Sequence, residues 1–329
     1  MQAIKFKNSV FNIGNNSDFL KSAIDIFHYQ ARNNNVYEQY IEKLKVDVDR
    51  VKSLEQIPFL PIVFFRTHKV ITGNSAVQKL FESSGTTSAE TSRHYLSDIS
   101  CYEKSFRKGF EHFFGKLNQY CILALLPSYL EREDSSLIYM VNDLIKRGHH
   151  PSSGFYLDNT GELAEKLIRL DQSGQKIILL GVTYALLDFV DKYKFSLKNV
   201  IVMETGGMKG RRKEMVREEV HAILCRGFGV DVIYSEYGMT ELLSQAYSKG
   251  KGLFYTPPWM KVLIRDIADP FSYVKAEKPG GINTIDLASI NSCSFIATQD
   301  MGRQYADGSF EVLGRLDNSD LRGCNLMIE

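Results

Sequence analysis

The chain has 329 residues, enough for one large or two moderate domains with a buried core. Hydrophobic residues make up 44% and charged residues 24%, and 40 basic against 39 acidic side chains leave a net charge of +1. That balance fits an ordinary globular protein and lacks the basic footprint of a nucleic-acid or anionic-membrane binder. No run reaches the ~18 apolar residues of a spanning helix, and Met1-Gln2-Ala3-Ile4-Lys5-Phe6-Lys7 lacks the apolar stretch of a signal peptide, so no membrane insertion is expected. The five cysteines, Cys101, Cys121, Cys225, Cys293 and Cys324, form no Cys-x-x-Cys pair. Their odd number argues against a disulfide framework or zinc site and for a cytoplasmic location.

From about residue 18 to 48 the apolar spacing predicts two helices, broken at Asn33-Asn34-Asn35. Next comes Ile57-Pro58-Phe59-Leu60-Pro61-Ile62-Val63-Phe64-Phe65, whose two prolines forbid a regular helix and favour a buried extended segment. Beyond Lys69, strands are expected at 120–126, 176–180, 199–203 and 230–235, with helices at 135–147, 161–171, 183–193 and 209–226. That alternation predicts parallel strands joined by crossover helices. After Tyr255 the pattern changes to strands at 262–267, 281–287, 294–298 and 309–313, separated by Asp269-Pro270, Pro279-Gly280-Gly281 and Ala306-Asp307-Gly308. These predict a small, mostly antiparallel lobe.

Several short segments carry chemistry. Ser83-Ser84-Gly85-Thr86-Thr87-Ser88 offers hydroxyl donors and a glycine that lets backbone approach an anion, although such residues are also common in surface turns. It is not a Walker loop, because no Gly-Lys-Ser/Thr ending follows. A strand ending in Thr205-Gly206-Gly207 makes a glycine turn at the usual place for a ligand, or simply begins the next helix. In Tyr237-Gly238-Met239-Thr240-Glu241 an aromatic face can stack on a purine, a hydroxyl can donate to phosphate and a carboxylate can hold Mg2+. The alternative makes Thr240 the N-cap of a helix over 241–247, itself an anion site. Asp300 follows a strand, and its carboxylate suits two vicinal ribose hydroxyls; Asp300-Met301-Gly302 reads equally as a turn. Gly314-Arg315-Leu316-Asp317 lies beyond the last strand, and Cys324 lies close to the last residue, Glu329.

Adenylate-forming enzymes carry a Ser-Gly-Thr-Thr-Gly loop followed by a lysine. Ser84-Gly85-Thr86-Thr87-Ser88 resembles it but lacks the second glycine and the lysine, leaving Arg93 or His94 to supply positive charge. Adding 81–95, Tyr102, Ser105, Gly109, Phe113-Phe114-Gly115, Leu125-Leu126-Pro127-Ser128-Tyr129-Leu130-Glu131-Arg132, Ile57-Pro58-Phe59-Leu60-Pro61 and Arg322-Gly323-Cys324, the chain resembles the acyl-protein synthetase (LuxE-type) family from about residue 55 onward. The resemblance implies an α/β fold: an adenylate-forming core of parallel sheet and crossover helices, plus a smaller β-rich lobe, with the C-terminal domain truncated. The expected division is a helical and extended region at 1–66, a nucleotide-binding core at 67–255 and the β-rich lobe at 256–329.

The resemblance further implies that ATP and Mg2+ are the cofactors, and that a carboxylic acid, by resemblance a fatty acid, becomes an acyl-AMP. Ser83, Ser84, Gly85, Thr86 and Thr87 would hold phosphate, while Gly206 and Gly207 would lie against adenine. Tyr237 would stack on the base, Thr240 would contact the α-phosphate and Glu241 would bind the metal. Asp300 would take the ribose, supported by Arg315. Cys324 matches an acylated cysteine: its thiolate, favoured by Arg322, would attack the acyl-AMP carbonyl and expel AMP. The acceptor would be a thiol on a protein partner, a carrier protein or coenzyme A. The other readings are ligation to coenzyme A or a carrier without a Cys324 intermediate, a non-catalytic nucleotide or acyl binder, and a transferase fed by thioesters. Phe106, Phe110, Phe113 and Phe114 lie at helical spacing and read as core, and adjacent His149 and His150 lack a ligand partner.

Overall fold

The computed structural model describes residues 2–83, 91–126, 132–207, 212 and 215–316. Helices α1 (Gln2–Ser9), α2 (Asn16–Asn33) and α3 (Asn35–Lys43) come first. Asn34 is the polar break between the last two: its N–H closes α2 on Gln30 O, and its side chain accepts from Tyr37 N to start α3. The same buried amide donates to Thr72 Oγ1 and Ser292 O. The proline-bracketed segment pairs as a strand only at β1 (Leu60–Pro61) and then winds into one helical turn, α4 (Phe64–Thr67). A separate hairpin, β2 (Lys79–Glu82) with β3 (Arg93–Leu96), leads into α5 (Ile99–Phe114).

The alternating region follows: β4 (Tyr120–Leu125), α6 (Ser136–Gly148), β5 (Gly154–Phe155), α7 (Thr160–Gln172), β6 (Lys176–Val182), α8 (Thr183–Lys192), β7 (Val200–Thr205), α9 (Arg217–Phe228) and β8 (Tyr234–Tyr237). Its strands pair in parallel in the order β5-β4-β6-β7-β8. Every residue of β4, and every residue of β6 after Lys176, is buried. Such unbroken apolar runs suit a sheet covered on both faces. The remaining strands are β9 (Ala246–Ser248), β10 (Phe254–Tyr255), β11 (Met260–Arg265), β12 (Gly280–Asp286), β13 (Phe295–Gln304) and β14 (Phe310–Arg315). They continue the sheet antiparallel as β8-β9-β10-β14-β13-β12-β11, and β1 joins β13 in parallel with Leu60 opposite Ile296.

The mixed α/β fold is the one the sequence predicts, with local differences. β13 runs past the expected end to Gln304, so Asp300-Met301-Gly302 is strand rather than turn, and Asp300 pairs with Arg315. The segment after Thr240 forms no helix. β8 starts at Tyr234, later than the sequence suggests. The N-terminal region packs onto β13 through aromatic rings: Phe27, Tyr37 and Phe59 surround Phe295 at centroid distances of 6.1, 6.3 and 6.2 Å. Phe106 and Phe110 of α5 are buried, and Phe113 and Phe114 each lie 5.1 Å from the Tyr247 ring, as core residues should. The four described cysteines are free thiols. Among the described residues, no helix is long and apolar enough to cross a membrane.

Candidate active site

Adjacent parallel strands β7 and β8 bring two of the sequence-predicted segments together. Thr205 is opposite Glu236, so the Gly206-Gly207 turn and the Tyr237-Gly238 segment leave the sheet side by side. Gly206 has φ +67°, a left-handed conformation that glycine adopts without strain, and a Cβ on Gly207 would meet nothing within 4 Å. The turn is anchored from below: Thr183 Oγ1 donates to Gly206 O at 3.0 Å and to Glu204 Oε2 at 2.9 Å. Burial opposes the charge on Glu204, yet His221, Ser235, Arg217 and Thr183 together hold its carboxyl below the ordinary range.

Tyr237 is almost fully buried, with its ring edge-on to Phe254 and Phe310. Its hydroxyl donates to Asp300 Oδ2 at 2.8 Å, and burial beside that carboxylate keeps the phenol protonated as a donor. Asp300 also faces Arg315 Nε at 3.7 Å across the β13–β14 ladder. Burial raises the Asp300 carboxyl, while Tyr237, Arg315 and Arg265 pull it back. Arg265 lies behind it, donating to the carbonyls of Ile282 and Thr298. Arg315 itself is 74% exposed.

Glu241 lies in the irregular segment beyond Gly238. Its carboxyl is raised by burial, with only partial relief from the Ser92 hydroxyl, its own backbone N–H and the charges of Arg66 and Arg315. A buried carboxylate so weakly compensated suits a cation whose other ligands are phosphate oxygens and water, which is how Mg2+ is usually held. Among the described residues, no cluster of three or more His, Cys, Asp and Glu side chains can hold a metal on its own.

The phosphate-loop candidate is closed at its base by Ser83 and Ser92. Ser83 N donates to Ser92 O at 3.0 Å, and Ser92 N donates to Ser83 Oγ at 2.9 Å. Ser84, Gly85, Thr86, Thr87 and Cys324 lie outside the described residues. His94 does not supply the expected charge. It is fully buried and edge-on to Phe65, and burial lowers its pKa to about 4 despite the bond it makes to Thr240 O. The carbonyl can only accept, so Nδ1–H donates to it at 2.8 Å and Nε2 accepts from Ser292 Oγ at 2.8 Å. His94 therefore ties the loop base to Thr240 as a neutral strut. Arg93, the other proposed cation, pairs with Glu82 at 3.3 Å.

Two buried acids near this site had no signal in the sequence. Asp286 accepts from Leu243 N, Ser244 N and Ser244 Oγ at 2.8, 2.9 and 2.6 Å, which holds the segment after Glu241 in its irregular path. Trp259 Nε1 extends the network, donating to Ser105 Oγ at 3.1 Å and Ser244 Oγ at 3.0 Å. Glu236 hydrogen-bonds the Thr205 hydroxyl, and its Oε1 lies 2.3 Å from where a Cβ on Gly238 would sit. A side chain at Gly238 would therefore have to displace the Glu236 carboxylate.

This fold is that of the adenylate-forming ligases. ATP-bound MatB from Rhodopseudomonas palustris is similar over 74% of this chain and 49% of its own, with a TM-score of 0.55 and 15% identity. A 2-hydroxyisobutyryl-CoA ligase in complex with 2-HIB-AMP and CoA is similar over 93% of this chain and 70% of its own, with a TM-score of 0.67 and 13% identity. The chain thus spans about half the length of MatB. No curated protein matches it significantly in sequence. The sequence profile of the acyl-protein synthetase LuxE family matches residues 14–329, and the chain belongs to that family of enzymes.

Proposed function

We propose that the chain activates a carboxylic acid with ATP and passes the acyl group to a thiol. The observation that carries this reading is the family match across residues 14–329. The convergence of Gly206-Gly207, Tyr237, Asp300, Arg315 and Glu241 supports it. Asp300 would accept from the ribose hydroxyls, and Tyr237 with the glycine turn would bracket adenine. Thr240 would donate to the α-phosphate, while Ser83 and the loop residues Ser84, Gly85, Thr86 and Thr87 would cradle the rest. Bound at Glu241, Mg2+ would neutralise phosphate charge.

In the first step a carboxylate oxygen attacks the α-phosphorus and pyrophosphate leaves. In the second a thiolate attacks the acyl carbonyl, the bond to AMP breaks and a thioester forms. Cys324 is the proposed thiol, the acid is proposed to be aliphatic, and the cytoplasm is the proposed compartment. A second reading, direct transfer to coenzyme A, draws on the similar ligase observed with 2-HIB-AMP and CoA.

Intact-protein mass spectrometry after incubation with ATP, Mg2+ and a panel of carboxylic acids tests the proposal. The expected result is a hydroxylamine-labile acyl adduct on the wild type, lost in Cys324→Ser. Pyrophosphate release without an adduct would favour an external thiol. No pyrophosphate with any acid would refute the activation step.

A further inference from the structure

The nucleotide reading uses one side of β8. Tyr237 turns its ring to Phe254 and Phe310 and its hydroxyl to Asp300. Side chains alternate along a strand, so Glu236 faces the other way. Its ladder partners are Thr205 on β7 and Tyr247 on β9. The Tyr247 ring packs against Phe113 and Phe114, which makes this the α5 side of the sheet.

Two buried polar side chains on that side end without partners. Glu236 is 8% exposed; its Oε2 takes the Thr205 hydroxyl, and its Oε1 has no hydrogen bond among the described residues. Gln245 is 6% exposed and stands one step beyond the Tyr237–Ala246 pair, across from Gly238. Its amide is also unbonded among the described residues, yet neither polar end is walled in. Among those residues only Arg303 Nε, in β13, is both sealed from solvent and unbonded. Glu236 and Gln245 converge on Gly238: a Cβ there would lie 2.3 Å from Glu236 Oε1 and 3.3 Å from Gln245 Cγ. Gly238 has no side chain to keep them apart.

A carboxyl oxygen and a carboxamide together match a hydroxyl, which donates its proton to the first and accepts an N–H from the second. A bare methylene in the same place would leave both groups unpaired, and sites built this way discriminate strongly against it. With the nucleotide assigned to the Tyr237 side, the carboxylic acid is the substrate left for the α5 side. Its carboxylate has to meet the α-phosphate at Thr240, four residues beyond Glu236 on the same segment.

We propose that Glu236 and Gln245 are specificity residues that select a hydroxylated aliphatic acid by binding its hydroxyl. The inference rests on the activation reading above and names the substrate class of that site.

The test is ATP–pyrophosphate exchange with chain-matched acids, each unsubstituted acid against forms hydroxylated at successive carbons. In wild type at least one hydroxy acid should exceed its unsubstituted partner about tenfold or more in kcat/KM. Gln245→Leu and Glu236→Leu should erase that preference through the KM of the acid and leave the KM of ATP unchanged. Glu236→Gln keeps an acceptor and should retain part of it. Equal rates for every pair in wild type overturn the proposal, and so does a preference that survives in the leucine variants. If Glu236→Leu does not fold, Gln245→Leu and Glu236→Gln decide. Exchange without preference for any hydroxy acid refutes this inference alone, whereas no exchange with any acid refutes the activation step and this inference with it.

Discussion

Replacing Glu236 by glutamine isolates one buried charge. Glu236 is 8% exposed, and its direct partner is the Thr205 hydroxyl. Burial, reinforced by the nearby Glu204 charge, raises its carboxyl from 4.5 to about 7. The folded protein therefore holds a proton that the unfolded chain releases near 4.5. The stability linked to it is fully present below that value and is lost as pH rises through about 7. A rise of this size corresponds to about 3 kcal/mol. His94 acts in the opposite sense, because its pKa falls from 6.5 to about 4 on folding: that contribution is present above 6.5 and lost as pH falls through about 4. The two trends overlap in the wild type, so the informative quantity is the difference between wild type and variant. Glutamine keeps an acceptor for Thr205 and mimics the neutral acid. Urea denaturation of both proteins at pH 5, 6, 7 and 8 should show Glu236→Gln gaining on wild type by about 3 kcal/mol across the range. A difference that stays flat with pH would refute the assignment of Glu236 as a protonated buried acid.

Asp286→Ala removes the acceptor of three buried backbone N–H groups, those of Leu243, Ser244 and Ala288, and of the Ser244 and Ser289 hydroxyls. It should cost roughly 3 kcal/mol or more in chemical denaturation, with ATP–pyrophosphate exchange falling as Thr240 and Glu241 lose their support. Gly227→Ala would place a Cβ 2.4 Å from Val190 Cβ, where α9 crosses α8. It should lower stability by about 1–3 kcal/mol, and an unchanged melting temperature would contradict that packing.

The fold was legible where one local pattern dominated. The buried runs at β4, β6 and β7 lie between amphipathic helices, and the polar break at Asn34 separates α2 from α3 as read. Local pattern failed where a distant side chain decides the conformation. Residues after Thr240 resemble a capped helix, yet Asp286, over forty positions on, takes the N–H groups a helix would use internally. His94 read as a candidate cation beside a hydroxyl loop because its burial depends on Phe65, Thr240 and Ser292, none of them local. The strand character of Asp300-Met301-Gly302 comes from pairing with β14, while the residues themselves favour turns. Gly206, Gly207, Tyr237, Thr240, Glu241, Asp300 and Arg315 were singled out as candidates by motif. Glu236 and Asp286 were not, because each draws its meaning from neighbours far along the chain.

The anchoring of α2 also constrains how the molecule is assembled. Gln30 donates to Ser289 O and Ile290 O, 259 and 260 positions further along, and accepts from Ser294 N. A chain emerging from the ribosome makes this helix early, but its buried amide has no partner until nearly all of the sheet has been synthesised. Closing so long a loop is slow, and the apolar face of α2 stays exposed meanwhile. Helices made well before their partners are thus among the last to be secured, and fragments ending before residue 289 should rely on chaperones or aggregate.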